Sequence, residues 1–437
     1  MITFVATTRK KRDTSMTAVI SNTGTASIPG EFHYWKNLPT PRIQRARKVF
    51  RRMFGIDPDL PEQVINTYAA SYYEADPVAE AFVDDAYING NPAHGRAMLD
   101  MALEKGIDAV VDAPESMKRL FAERDKAPAW LDMDMVRHGA KVFRRFGPEL
   151  FNFFGAITLE GYTNNSVVKP LILTGAYAGD GTKGRFLETA AFWVDISEPG
   201  GLEPAGDGWK TTMRVRVMHV FVRRRLMSHP EWKMDEWGVP ISQADALVTL
   251  MAGCIAPGYF LRVAGFRTSR DDILAMMHFW RYVGHLMGVQ PPWYPETVED
   301  GLKFSFMAFA SGAGKAGDDG VMLCRSFSEA FRPLERPDAS LLDRIQAGVD
   351  HRIHQGFVNF FVSKTTRKRS GIPSAGLWWF YPLASAPLVF GAETLRQHFP
   401  KVDDMLDTMT RYRRRKWLER HMEKRKAEYT AVSQFTR

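Results

Sequence analysis

The sequence predicts an all-α fold, because apolar side chains recur at helical spacing along most of the chain. Within residues 210–226, Val215, His219, Val222 and Leu226 are separated by four, three and four positions, which places them on one face of a helix. Runs in which apolar and polar residues alternate, the pattern of strands, are sparse throughout. We therefore predict a mostly α-helical protein.

The composition indicates one large ordered unit. Hydrophobic residues make up 45% of the 437 residues and charged residues 25%, as in globular proteins with a sizeable core. Residues 1–30 are rich in Thr, Ser and Gly, so we predict a disordered tail followed by a single helical domain over residues 31–430. Cys254 and Cys324 lie in apolar segments and belong to no paired spacing, so we expect no disulfide framework and a cytoplasmic location.

Start and stop signals divide the chain into helices. Pro61 fits the first turn of one helix, and Asp132 and Asp134 fit the first turn of another, where carboxylates face the positive end of the helix dipole. Pro199 and the two glycines after it end a further helix. A helical segment over 148–177 is kinked or restarted at Pro170. The other predicted helices span residues 42–54, 61–79, 92–105, 114–125, 132–146, 183–194, 210–226, 242–253, 271–287, 298–311, 339–361 and 393–429.

Charge and hydropathy argue against nucleic-acid and membrane-spanning classes. Much of the net charge of +8 comes from the runs 364–369 and 411–426, and no nucleic-acid-binding motif accompanies them. Residues 246–261 are apolar but short and broken by Pro257, and residues 9–12 are not followed by the apolar stretch of a secretory signal. Peripheral contact of residues 411–426 with an anionic membrane remains open.

The uncharged run 370–392 contains three prolines and several aromatic residues. Prolines interrupt a membrane-spanning helix. We predict that this run is a buried, irregular segment rather than an element at a membrane surface.

His219 is the residue that the helical pattern singles out for chemistry. A buried ring nitrogen without a partner costs about 1–3 kcal/mol, so the protein must supply either a hydrogen bond or a metal. Both interpretations stay open on spacing alone. The other closely spaced histidines are His278 with His285 and His351 with His354. Neither pair has the i, i+4 spacing or the duplicated Glu-x-x-His pattern of a metal site made only of protein ligands.

Several short motifs, taken in order, resemble one family. The chain resembles the catalytic domain shared by bacterial latex-clearing rubber oxygenases and the fungal oxygenase that cleaves a prenyl side chain in mycophenolic acid synthesis. The resemblance covers about residues 128–292. Its motifs are Lys169-Pro170-Leu171 with Thr174-Gly175-Ala176-Tyr177, Arg185-Phe186-Leu187-Glu188-Thr189, Pro199-Gly200-Gly201-Leu202, Arg214-Val215-Arg216-Val217-Met218-His219, Trp237-Gly238-Val239-Pro240 with Gln243 and Asp245, and Trp280-Arg281-Tyr282-Val283-Gly284.

The resemblance implies a globin-like helical core, with additional N- and C-terminal helices, that holds haem b. It implies that His219 is the proximal ligand of the haem iron and that Arg185 and Thr189 lie near the other haem face, where Arg185 suits a propionate or bound oxygen. Lys169 aligns with the family's catalytic glutamate and becomes a candidate base or sixth ligand. Helical spacing is expected to turn Glu188 away from Arg185 and Thr189.

Two function classes follow from these residues. The first is a haem b-dependent oxygenase or oxidoreductase that uses molecular oxygen on an apolar, prenyl or unsaturated lipid-like substrate, with Arg185, Thr189 and Lys169 as catalytic candidates. The second is a haem-free helical binding protein for a hydrophobic ligand, in which His219 is structural.

Overall fold

The fold is helical throughout the residues that the computed structural model describes, which are 28–175, 181–333, 340–422, 427 and 429. No strand occurs among them, so the predicted all-α class is confirmed. Residues 1–27 of the predicted tail lie outside the described residues. The helices are α1 (Tyr34–Asn37), α2 (Pro41–Phe54), α3 (Glu62–Ala70), α4 (Pro77–Val83), α5 (Pro92–Lys105), α6 (Glu115–Asp125), α7 (Met133–Arg145), α8 (Pro148–Gly161), α9 (Asn165–Leu173), α10 (Gly181–Ser197), α11 (Asp207–Met227), α12 (Met234–Trp237), α13 (Gln243–Phe260), α14 (Arg270–Leu286), α15 (Val298–Ser311), α16 (Gly317–Ala330), α17 (Leu341–Phe361), α18 (Lys364–Ser370), α19 (Tyr381–His398) and α20 (Pro400–Met422).

Most predicted helices match observed ones, and the misses have local causes. The predicted helix 61–79 is two helices, because the Asp76 side chain accepts a hydrogen bond from Ala79 N and starts α4 anew. The predicted helix 393–429 is divided at Pro400, which begins α20. Conversely, α13 continues through Pro257, which we expected to break it. Proline removes one backbone donor, and close packing on both sides holds this helix together.

Close helix packing forms the core around α7 and α14. Gly139 of α7 makes this contact feasible, because a Cβ atom there would lie 2.1 Å from the Ala275 carbonyl oxygen of α14. Phe143 on α7 packs against Phe279 and Trp280 on α14, with ring centroids 5.6 and 5.3 Å away. Next to this pair, α13 lies beside α14, and α10 lies beside α11.

One described stretch, Gln243–Ala264, is long and apolar enough to cross a membrane by length and composition. Half of its most apolar window is buried inside the protein, and buried core helices pass the same test. It comprises α13 and the short turn after it.

The uncharged run 370–392 is largely exposed, so our prediction of a buried segment was wrong. It forms a 3₁₀ turn, Gly376–Phe380, and the first part of α19. Leu377 is 89% exposed and Leu388 is 82% exposed. Here the apolar residues lie at helical spacing on an outer face of α19, which composition alone does not distinguish from a core segment.

The basic run on α20 packs against the protein. Arg411 donates to Glu198 at 2.7 Å, Arg414 is fully buried, and Arg420 pairs with Asp350 at 3.3 Å. Residues 423–426 of the predicted basic run lie outside the described part of the chain. The basic side chains of residues 411–420 therefore hold α20 against neighbouring helices and do not form a free cationic surface.

Candidate functional site

A cavity of about 420 Å³ lies between α9, α10, α11 and the beginning of α13. This volume falls within the range of roughly 300–1,000 Å³ that is typical of small-molecule sites. Its wall is mostly apolar and includes Leu171, Phe192, Trp193 and Trp280. Such a wall favours an apolar or planar ligand over a highly charged one.

His219 faces this cavity from α11. Val215 and Val222 line the same wall, as their spacing with His219 predicts. No hydrogen bond to either ring nitrogen of His219 occurs within the described part of the chain, and the ring is only partly buried because it borders the cavity. Loss of solvation and the charge of Arg223 lower the pKa of His219 to about 4. The imidazole is therefore neutral at physiological pH and has a nitrogen lone pair available to a ligand.

Arg185 and Thr189 on α10 line the same cavity, so the structure brings both together with His219. The Thr189 hydroxyl donates to the Arg185 carbonyl oxygen at 3.0 Å. Glu188 also lines the cavity, and its carboxylate accepts from Arg185 Nη1 at 2.9 Å. Our expectation that Glu188 points away was wrong, because side chains three positions apart on a helix are neighbours.

Lys169 lies on α9 but is directed away from the cavity. Its Nζ donates to Asp319 Oδ2 on α16 at 2.7 Å and lies 5.7 Å from the centre of the Trp237 ring. Ser166 and Pro170 of the same helix do line the cavity, whereas Lys169 does not. The structure therefore does not bring Lys169 together with His219, and a role as base or sixth ligand has no support from its position. Ala176 and Tyr177 of the same motif lie outside the described residues.

We expect Lys169→Met to change stability but not the site. The variant removes the ion pair between Lys169 and the partly buried carboxylate of Asp319, which should cost about 1–3 kcal/mol in the free energy of unfolding. The absorption spectrum of any bound cofactor should be unchanged, since Lys169 does not reach the cavity. Urea unfolding and the visible spectrum measure the two effects, and a shifted spectrum would place the ammonium in the site after all.

Asp245 is a second carboxylate on the cavity wall, at the first turn of α13. Its Oδ1 accepts from the Ser166 hydroxyl at 3.0 Å, and its Oδ2 accepts from the Ser242 hydroxyl at 2.9 Å. Burial raises the pKa of Asp245 to about 6, although the two hydroxyl donors oppose this shift. This carboxyl therefore exchanges its proton close to physiological pH, and it faces whatever occupies the cavity.

We expect Asp245→Asn to stabilise the protein near neutral pH. A raised carboxyl pKa makes a contribution to stability that is fully present below the unfolded pKa of 3.8 and is lost as pH rises through about 6. The amide avoids that loss, which amounts to about 1–3 kcal/mol. Urea unfolding should show a larger advantage of the variant at about pH 7 than at about pH 4. Equal advantages at the two pH values would contradict the raised pKa.

A buried ion cluster borders the cavity through Asp76 and Arg216. Arg216 donates to both carboxylate oxygens of Asp76, at 2.7 and 2.8 Å, and to Glu123 at 2.6 Å. Gly288 adopts a φ of +75° beside them, and a Cβ atom there would lie 2.1 Å from Asp76 Oδ2. Glycine is thus required for the chain to pass this pair. The cluster fixes α11, which carries His219, to the start of α4.

Sequence reasoning missed three of these residues as parts of the site. Asp76 lies far from His219 in the chain, and no local pattern marks it. Asp245 was noticed only as a motif residue. The signal that could have found it is a carboxylate placed between a serine cap and an apolar helix. Glu188 was noticed and placed on the wrong face.

The segment that contains most of this site is similar to known proteins. Residues 141–305 match the family model described as ER-bound oxygenase mpaB/B'/Rubber oxygenase, catalytic domain. The chain is 27% identical over 235 residues to the rubber oxygenase of Streptomyces sp. (strain K30), an alignment that covers 51% of this chain and 54% of that protein. The matched region thus spans about half the length of this relative.

The fold is similar to a solved structure described as latex clearing protein LCP in the closed state. The TM-score is 0.55 at 21% identity, and the match covers 80% of this chain and 91% of that chain. The family match includes His219, Arg185 and Thr189 and overlaps most of the stretch in which the motifs were recognised. Over residues 141–305, this chain is therefore similar to the catalytic domain described for mpaB/B' and the rubber oxygenases.

Proposed function

We propose that this protein is a haem b-dependent oxygenase acting on an apolar substrate of the prenyl or unsaturated lipid class, with molecular oxygen as co-substrate. The observation that carries the proposal is His219, a neutral imidazole that faces an apolar cavity without a hydrogen-bonding partner among the described residues. Haem iron commonly takes one such imidazole as its axial ligand. The similarity of residues 141–305 to an oxygenase catalytic domain supports the reaction class.

The residues around the cavity fit a haem. His219 would hold the iron, and Arg185 and Thr189 lie on the neighbouring helix α10, with Arg185 suited to a propionate or to a polarised oxygen. Phe192, Trp193 and Leu171 give the cavity an apolar wall. When bound, haem supplies the redox-active iron at which oxygen is activated.

The polar residues of the cavity have separable tasks in this proposal. The Arg185 guanidinium is held by Glu188, which limits the directions in which it can donate. The Thr189 hydroxyl is turned toward the backbone of Arg185, so its oxygen lone pairs face outward as acceptors. Asp245 holds or releases a proton around pH 6.

The ultraviolet–visible spectrum of the protein, expressed with sufficient haem, tests the proposal. We expect a Soret band with about one haem per chain, and oxygen consumption on addition of a prenyl substrate. A protein without a Soret band that still binds apolar ligands would instead be the haem-free binding protein. We also propose a cytoplasmic location, in keeping with Cys254 and Cys324, which are both buried and free.

A further inference from the structure

We propose that the outer face of α19, with the 3₁₀ turn before it and the cationic helix α18, docks on the anionic surface of a lipid bilayer. This surface, called the docking face below, comprises the exposed side chains of residues 364–369, 377–380 and 384–395. The proposal is independent of haem binding, because no residue of the docking face lines the His219 cavity.

The apolar part of the docking face has helical geometry. Phe380, Ala384, Leu388, Gly391 and Leu395 follow one another at intervals of four, four, three and four residues, which places them on one side of α19. Phe380 is 48%, Leu388 82% and Leu395 52% exposed. Isolated apolar residues are normal at a surface, but a continuous exposed stripe on an 18-residue helix marks an interaction site.

The turn before α19 extends this stripe with larger side chains. Leu377 is almost wholly exposed, and Trp379 is 48% exposed. Tryptophan combines an apolar ring with a polar N–H and is enriched where water meets lipid. An aromatic cluster leading into an apolar helix face is typical of helices that lie in the plane of a membrane.

The charge distribution of the docking face favours a lipid bilayer over other binding partners. Residues 371–392 contain no acidic or basic side chain. Glu393, the first acidic residue after them, is buried and accepts from Arg396 at 2.8 Å. Exposed Lys364, Lys368 and Arg369 on α18 take part in no ion pair within the described part of the chain. The docking face is thus apolar and cationic, which is complementary to anionic headgroups over a hydrocarbon layer.

A second copy of the chain suits this face less well. Its cations would need acidic partners, and the apolar stripe offers none between residues 371 and 392. The basic run on α20, by contrast, is neutralised within the molecule by Glu198 and Asp350. The unpaired cations of α18 come shortly before the exposed apolar stripe in the chain, and this favours α18 and α19, rather than α20, as the lipid-facing part.

Vesicle co-sedimentation of the full-length protein tests the proposal. We expect binding to phosphatidylcholine vesicles with about 30 mol% phosphatidylserine to be at least about tenfold tighter than to phosphatidylcholine alone, and to weaken as salt is added. Leu388→Glu should lower the partition coefficient by about tenfold or more. Replacing Lys364, Lys368 and Arg369 with glutamine should remove the preference for phosphatidylserine.

Controls separate docking from misfolding and from self-association. Val111→Glu alters an equally exposed apolar residue, 84% exposed, in the turn between α5 and α6, and should bind vesicles like wild type. Leu377→Glu provides a second variant in the docking face if Leu388→Glu melts at a lower temperature than wild type. The proposal would be overturned if wild-type protein did not bind anionic vesicles, or if the docking-face variants bound them as tightly as wild type. A dimer in analytical ultracentrifugation that Leu388→Glu dissociates would also overturn it, since the occupant would then be a second copy.

Discussion

His219→Ala is expected to remove stoichiometric haem from the purified protein and to leave its helical fold intact. In the proposed function the imidazole makes the iron's only bond to the protein, so the truncated side chain leaves no axial ligand. The fold should survive, because the His219 ring has no hydrogen bond to lose among the described residues and borders a cavity rather than the packed core. The ratio of Soret to protein absorbance and far-ultraviolet circular dichroism measure the two effects.

Two variants provide controls for the ligand assignment. His278→Ala removes a histidine that borders a different cavity, beside Trp130 and Tyr294, and should retain haem at the wild-type ratio. Thr189→Ala changes the wall of the His219 cavity without removing the ligand, so it should keep the iron and alter only its surroundings. Full haem content with an unchanged spectrum in His219→Ala would end the assignment.

Asp76→Ala is expected to produce the largest loss of stability, about 3–5 kcal/mol in the free energy of unfolding. Arg216 is 1% exposed, and Asp76 accepts from it in a bidentate pair. Removing the carboxylate leaves a buried guanidinium with Glu123 as its remaining acidic partner. The variant also removes the cap of α4. Urea unfolding followed by circular dichroism gives the measurement.

A matched substitution tests whether burial of the Asp76–Arg216 pair is the reason for the predicted loss of stability. Asp57→Ala removes a carboxylate that pairs with Arg47 and Arg51, but its side chain is 50% exposed. Exposed pairs of this kind contribute about 0–1 kcal/mol. If the two substitutions cost the same, burial is not what makes the loss of the Asp76–Arg216 pair destabilising.

Helical periodicity identified most of the fold, because each helix buries one face and leaves a repeat in the sequence. The helices 92–105 and 298–311 were predicted with the observed bounds, since proline or polar residues mark their ends. The run 370–392 was misplaced because periodicity shows that a helix has an apolar face but not what covers it. Only the packing of α19 shows that this face is left uncovered.

The site was predictable where its residues share one helix. His219, Val215 and Val222 follow from spacing within α11, and the family resemblance drew attention to Arg185 and Thr189 on α10. Asp76 joins the cavity through tertiary contacts across a long stretch of chain, which no local pattern encodes. Asp245 is marked locally only by the serine cap before it. Lys169 was in the right helix, but the position of Asp319 determines the direction of its side chain.

Helix α20 lies outside the segment 141–305 that carries the family match, yet it completes the core of that segment. Trp417 is 4% exposed and packs against Phe151, with ring centroids 4.8 Å apart. Arg144 on α7 donates to Asp407 at 2.7 Å. A fragment excised at the limits of the recognised segment would expose these aromatic rings to water and leave Arg144 uncompensated. The cooperatively folding unit is therefore larger than the segment that carries the family match. Fusions or shortened versions of the protein must retain α20.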